Sequence, residues 1–126
     1  MIKIVIFDLD DTLYLENYFL ISGFHEISVR LNNPCFFTFL KERIDSPTCL
    51  NELIHAYNLD VDVKTLLYII RNHKPHISLC KDSYKLLNNK PNNVQYVLLT
   101  NGWYNTQINK IKALKIEKYL DRIEIL

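Results

Sequence analysis

The sequence carries no excess of charge of either sign. Fifteen basic and 14 acidic residues leave a formal net charge of +1 over 126 residues. Lysines are scattered among acids and asparagines, and no basic block stands out. Such a surface offers no electrostatic case for nucleic acid or for an anionic membrane as partner. Cysteine is scarce: Cys35, Cys49 and Cys80 are odd in number, and their spacings match no zinc signature. They read as free thiols of a reducing cytoplasm. No apolar run approaches the roughly 18 residues of a membrane span. The apolar start, Met1 to Phe7, is cut off by Asp8, Asp10 and Asp11, too early for a secretory core. Internal repeats and low-complexity tracts are missing too. These absences leave a soluble cytoplasmic protein.

Hydrophobic residues make up 48% of the chain, enough for one domain with a core and too many for disorder. Three segments read as strands. Ile2 to Phe7 is apolar at nearly every position, which predicts a strand buried on both faces of a parallel sheet. Val94 to Leu99 follows the breaker Lys90-Pro91-Asn92-Asn93 and stops before Asn101-Gly102. Arg122 to Leu126 is short and lies at the chain end. Between the last two, Tyr104 to Tyr119 places Ile108, Ile111 and Leu114 in a helical stripe that Ile116 leaves. Strand, helix and strand at this length form a βαβ unit with a right-handed crossover. Leu79 to Asn89 also reads as helical, with Leu86 and Leu87 facing inward.

The stretch 14–76 has another texture. Aromatic and aliphatic residues recur at helical spacing, broken at Asn32-Asn33-Pro34, Ser46-Pro47, Asn58 to Asp62 and Lys74-Pro75. It predicts three or four short helices inserted after the first strand, one of them starting at Ser46-Pro47 with proline in its first position. The division is therefore an α/β core over 1–13 and 77–126, with a helical insertion over 14–76.

Phe7-Asp8-Leu9-Asp10-Asp11-Thr12-Leu13 carries the chemistry. Side chains alternate along extended chain, so Asp8 and Asp10 point the same way. Two carboxylates so placed repel each other, and a hard divalent cation such as Mg²⁺ offsets that. The carboxyl ends of parallel strands are also where open α/β sheets bind ligands. The plainer reading is an acidic turn after a strand. A second signal, Leu98-Leu99-Thr100-Asn101-Gly102, ends the second strand with a hydroxyl before a glycine and a helix N-terminus. Hydroxyl and backbone N–H groups there can donate to a phosphate. Alone, Thr-Asn-Gly is an ordinary turn.

Together, in this order, the two segments resemble the first and second motifs of the haloacid dehalogenase superfamily. The resemblance implies a Rossmann-like parallel sheet with a small helical cap, the cap being residues 14–76. It implies that Asp8 is a nucleophile forming an aspartyl-phosphate and that Asp10 is the acid and base. Thr100, with Asn101, would bind the phosphoryl group. Mg²⁺ would sit on the Asp8 carboxylate and the Asp10 backbone carbonyl. The substrate would be a small phosphorylated metabolite. Some ninety residues separate Asp8 from Thr100, as in members with a cap between the two motifs. Arg71 to His76 lies where that cap would return to the core. It could reach an anionic part of a substrate, His73 and His76 could bind metal, or the stretch could be a solvated linker. Trp103-Tyr104 would either touch substrate or pack beneath the cap.

The resemblance stops short of two further motifs, a charge-neutralising lysine and an acidic pair that completes the metal site. Lys110, Lys112, Lys115 and Lys118 fall on the helix before the third strand, and Asp121 and Glu124 also come too early. The expectation is a truncated family member whose first strand is an exposed apolar edge, open to self-association. The rival reading is an inactive remnant or interaction module with the same fold. A receiver-like phosphoacceptor would lack the helical insertion.

Overall fold

The computed structural model describes residues 1–126. In chain order it has β1 (Lys3–Phe7), α1 (Glu16–Arg30), α2 (Cys35–Glu42), α3 (Cys49–Tyr57), α4 (Val63–Asn72), α5 (Lys81–Asn88), β2 (Val94–Thr100), α6 (Tyr104–Leu114), a 3₁₀ turn (Glu117–Tyr119) and β3 (Arg122–Ile125). The three strands are those that the β-branched runs predict. They form one parallel sheet in the order β1-β2-β3, with Phe7 beside Leu98 and Thr100 beside Ile125.

Both crossovers step in the same direction, so right-handed connections place α5 and α6 on one face of the sheet. That face is dry. Phe7, Tyr96, Leu98 and Thr100 are buried there with Leu87 of α5 and Ile111 and Leu114 of α6. The rings of Phe7 and Tyr96 meet edge to face at 4.9 Å, and the Tyr96 hydroxyl donates to the Leu86 carbonyl. The other face is open. Ile4 and Ile6 are 60% and 62% exposed, and Leu99 is exposed too. A first strand buried on both sides is therefore not what these residues form: within β1 only Phe7 is buried, and β1 is an edge.

Four helices lie between β1 and α5. α1 packs on α2 and α4, α3 joins α2 to α4, and α4 reaches α6. Phe24, Ile27, Leu40, Leu53 and Leu66 form the apolar centre of this group. A Cβ on Gly23 would stand 2.9 Å from Ile70 Cγ2, so this glycine sets how closely α1 approaches α4. Asp62 caps α4 by accepting from the Thr65 N–H at 2.9 Å.

Several expected boundaries shift. α3 starts at Cys49, two residues after Pro47, because Ser46 to Thr48 form a turn held by the Ser46 hydroxyl on Glu52 at 2.7 Å. α6 ends at Leu114, since Lys115 takes a left-handed φ of 56°. Ile116 then enters the core from the next turn, which is why it leaves the helical stripe. Leu86 is exposed and only Leu87 of that pair faces inward. No helix is long and apolar enough to cross a membrane.

Residues 71–76 are solvated only in part: Asn72, Lys74 and His76 are exposed and His73 is not. His73 is 3% exposed. A backbone carbonyl can only accept, so the bond between its Nδ1 and the Ile70 carbonyl puts the proton on Nδ1. Its Nε2 then accepts from the Ser22 hydroxyl at 2.8 Å, while the Ser22 oxygen accepts from the His76 N–H at 2.9 Å. Both ring nitrogens are thus committed, which removes His73 from any metal site. Burial holds its pKa below the ordinary value.

Candidate active site

The sheet's dry face continues one turn past β1, because Leu9 is fully buried like Phe7 two residues earlier. Asp8 and Asp10 alternate with them and stay outside the core, Asp8 exposed and Asp10 half-buried. Asp8 Oδ1 accepts from the Leu9 N–H at 2.7 Å. The extension ends there. The Leu9 carbonyl takes the N–H groups of Thr12 and Leu13 at 3.2 and 3.0 Å, and Asp11 adopts a left-handed φ of 58°. The Asp11 carboxylate accepts from the Glu16 N–H at 2.8 Å. Its place is the entry of α1, apart from its two neighbours.

Asp10 is the hub. Lys110 Nζ donates to its Oδ1 at 2.8 Å, the Tyr14 hydroxyl donates to the same oxygen, and Gln107 Nε2 donates to Oδ2 at 3.1 Å. Burial pushes the Asp10 carboxyl up. The bonds from Lys110 and Tyr14, the Lys110 charge and the Gln107 amide outweigh it and hold the carboxyl below its ordinary value. The Tyr14 phenol is driven far up, by burial first and then by the Asp10 carboxylate, so it remains a donor. Lys110 is almost wholly buried, with Nζ 4.3 Å from the centroid of the Phe19 ring. Its ammonium lies between the Asp10 carboxylate and the Phe19 ring face.

Gln107 joins the two sequence signals. Its amide nitrogen also donates to Thr100 Oγ1 at 2.7 Å. The Thr100 hydroxyl therefore accepts from Gln107 and keeps its own proton to donate elsewhere. Gly102 makes room for this. Its φ is 152°, and a Cβ there would meet the Gln107 side chain at 3.0 Å, so glycine serves both the backbone and the close approach. The far side of the loop is braced by β3, with Leu126 N–H donating to the Thr100 carbonyl at 2.8 Å.

These groups open on a cleft of about 480 Å³ between the helices and the sheet's end. Asp10, Glu16, Phe19, Arg71, Asn101, Trp103 and Lys110 are among its walls. Asn101 is on the rim, and Trp103 is exposed instead of packed. Asp8 sits beside the cleft on the same strand end and is not part of its wall. Glu16 is raised above its ordinary pKa by burial and by the Asp10 charge.

For a divalent cation the residues offer the Asp8 carboxylate and the Asp10 backbone carbonyl. The Asp10 carboxylate is already taken by three donors, and no group of three acidic, histidine or cysteine side chains converges. That donor set suits Mg²⁺ only as a partial site, the remaining positions being filled by water and substrate phosphate, which is how Mg²⁺ is commonly held.

Three residues of the site were not legible from the motifs: Tyr14, Gln107 and Lys110. By its position before the third strand Lys110 is set aside in the sequence as too early for a charge-neutralising lysine, yet it is buried on Asp10. A signal was there. Gln107, Lys110, Ile111 and Leu114 share one face, and that face is the buried one.

A family model described as haloacid dehalogenase-like hydrolase matches residues 5–126. Solved structures with the same fold include YfnB from Bacillus subtilis, designated a HAD-hydrolase and bound to magnesium. It is 17% identical, with a TM-score of 0.72, over 98% of this chain and 63% of that one. A protein from Thermotoga maritima designated a beta-phosphoglucomutase is 15% identical, with a TM-score of 0.66, over 98% and 61%. L-2-haloacid dehalogenase from Xanthobacter autotrophicus is 14% identical, with a TM-score of 0.59, over 99% and 57%. The chain thus spans about six tenths of the length of these structures. No curated protein matches it.

Proposed function

The chain belongs to the haloacid dehalogenase-like hydrolase family, and on that premise we propose that it carries the phosphohydrolase site of an enzyme acting on a small phosphorylated metabolite. The observation that carries this reading is the Gln107 amide, which ties Asp10 to Thr100. One side chain thereby unites the acid–base candidate with the phosphate-binding candidate.

In this mechanism an Asp8 carboxylate oxygen attacks phosphorus. The new O–P bond forms as the bond to the leaving oxygen breaks, and that oxygen takes a proton from Asp10. Water then attacks the aspartyl-phosphate and gives its proton to Asp10, releasing inorganic phosphate and restoring Asp8. Thr100, oriented by Gln107, donates its hydroxyl proton to a phosphoryl oxygen. Lys110 supplies positive charge at the same place, a role that requires it to share its ammonium between Asp10 and the incoming phosphate. Mg²⁺, held by Asp8 and the Asp10 carbonyl, would neutralise charge on the transferring group. The helices α1 to α4 act as a cap that limits water.

Asp10 in its ionised form is ready for the water step. For the first step Asp10 must carry a proton, taken from solvent or from the incoming phosphate monoanion as Lys110 turns part of its charge to the phosphate, and the water step then returns a proton to Asp10.

Hydrolysis of p-nitrophenyl phosphate with and without Mg²⁺ tests the reading, with Asp8→Asn as the control. Magnesium-dependent turnover that disappears in Asp8→Asn supports it. A folded chain without turnover favours the second reading, an inactive or interaction module on the same scaffold. The observation on that side is the incomplete metal donor set.

A further inference from the structure

The catalytic cleft does not end at Arg71. It continues into a groove of about 600 Å³ between α4 and the start of α6, and Arg71, Trp103 and Thr106 line both. The groove is unusual in what it exposes. Tyr68, Trp103 and Tyr104 stand around it with 65%, 66% and 66% of their surfaces in water. Large aromatic side chains normally bury most of their area, and three on one groove form a platform. The groove is also cationic. Lys64 and Arg71 are seven residues apart on α4, hence on one face, and neither takes part in an ion pair. The Arg71 guanidinium carbon lies 4.9 Å from the centre of the Trp103 ring, a cation–π contact, and most of the Trp103 surface stays open to a further group.

We propose that this groove binds the leaving group of the substrate, and that the leaving group contains a planar aromatic ring bearing hydrogen-bond acceptors or negative charge. The inference rests on the phosphohydrolase reading for the direction in which the substrate lies. Phosphate sits at Thr100 and Lys110, and the ring reaches past Arg71 onto Trp103. Aromatic faces recognise rings of any identity by stacking. The two unpaired cations add a preference for acceptor-bearing or anionic rings over neutral aliphatic groups.

The test uses binding and needs no turnover. Trp103 is the only tryptophan, so its fluorescence reports the wall that the groove shares with the cleft, and the comparison of affinities between probes separates the two. Inorganic phosphate, glycerol phosphate, phenyl phosphate, a nucleoside 5′-monophosphate and phenol are each titrated in the presence of Mg²⁺. A ring phosphate should quench Trp103 and bind roughly tenfold more tightly than glycerol phosphate, the size of one stacked contact. Phenyl phosphate gaining most places the ring next to phosphate, and the nucleotide gaining most places it a sugar's length away. Tyr68→Ala and Tyr104→Ala, both at exposed positions, should erase that advantage and leave inorganic phosphate affinity unchanged. Equal affinity for ring and glycerol phosphates, with inorganic phosphate still bound, overturns the groove and spares the phosphohydrolase reading. Saturable quenching by phenol without affinity for any phosphate spares the groove and removes that reading. No binding of any probe removes both.

Discussion

Lys110 Nζ and Asp10 Oδ1 are 2.8 Å apart, one hundred residues from each other in the chain. The pair closes the sheet's end against α6. Breaking it would leave Asp10 with Tyr14 and Gln107 but without a counter-charge in a half-buried place.

Lys110→Met keeps most of the apolar stem and removes the ammonium, with its charge, its hydrogen bond to Asp10 and its contact with the Phe19 ring. Asp10 retains some contact with water, so the expected loss is about 1–2 kcal/mol rather than the several expected of a fully buried pair. Urea unfolding of the variant beside the parent measures it. Phosphate affinity should fall in the same variant. An unchanged urea midpoint together with unchanged phosphate binding would show that the pair is idle.

Gly102→Ala should be costly out of proportion to one methyl. The backbone there has φ of 152°, and the new carbon would press on the Gln107 amide at 3.0 Å. Strain and the displaced amide together should lower stability by about 1–3 kcal/mol. Because Gln107 holds Thr100, turnover should fall as well. A thermal melt and a pNPP assay on the same sample read the two effects.

His73 makes stability depend on pH. Its folded pKa lies below the ordinary 6.5 because of burial. Above 6.5 both folded and unfolded chains hold it neutral, and its contribution is complete. As pH falls below 6.5 the unfolded chain takes the proton first, so stability declines until the folded pKa is passed. Denaturant midpoints measured between pH 8 and pH 5 should drop on the acid side. His73→Asn should flatten that part of the curve, and an equal slope in the variant would contradict the assignment.

The free edge of β1 presents Ile4 and Ile6 beside unpaired backbone groups. We expect concentration-dependent association through this strand. Sedimentation equilibrium should give a mass above the 15.0 kDa of one chain, and Ile6→Lys should return it to that value. A monomer at all concentrations would remove self-association from the account.

The first two strands were readable because each is a short β-branched or apolar run that stops at a breaker or an acidic turn, the third by its place after the α6 helix, and the helices by their regular apolar spacing. The acidic run at Asp8 and the hydroxyl at Thr100 stood out because both sit directly after such strands. Exposure of β1 was not readable from its own residues, since Ile2 to Ile6 look alike whether covered or bare. Lys110 was hidden for another reason. Charge suggests solvent, and only the partner a hundred residues away makes burial acceptable. The place of His73 was not legible either, since Ser22, far upstream, supplies the bond that draws it inside.

The Thr106 hydroxyl donates to the Arg71 carbonyl at 2.8 Å, and Asn109 reaches the His73 carbonyl from the next turn. The helix that fastens the end of α4 in this way also holds Gln107 and Lys110. A motion that lifted α4 would pull on the same helix whose Gln107 and Lys110 hold Asp10 and Thr100. Under the proposed phosphohydrolase function, entry of substrate past α4 would then be coupled to the placement of Asp10, and slack at Thr106 would be felt there.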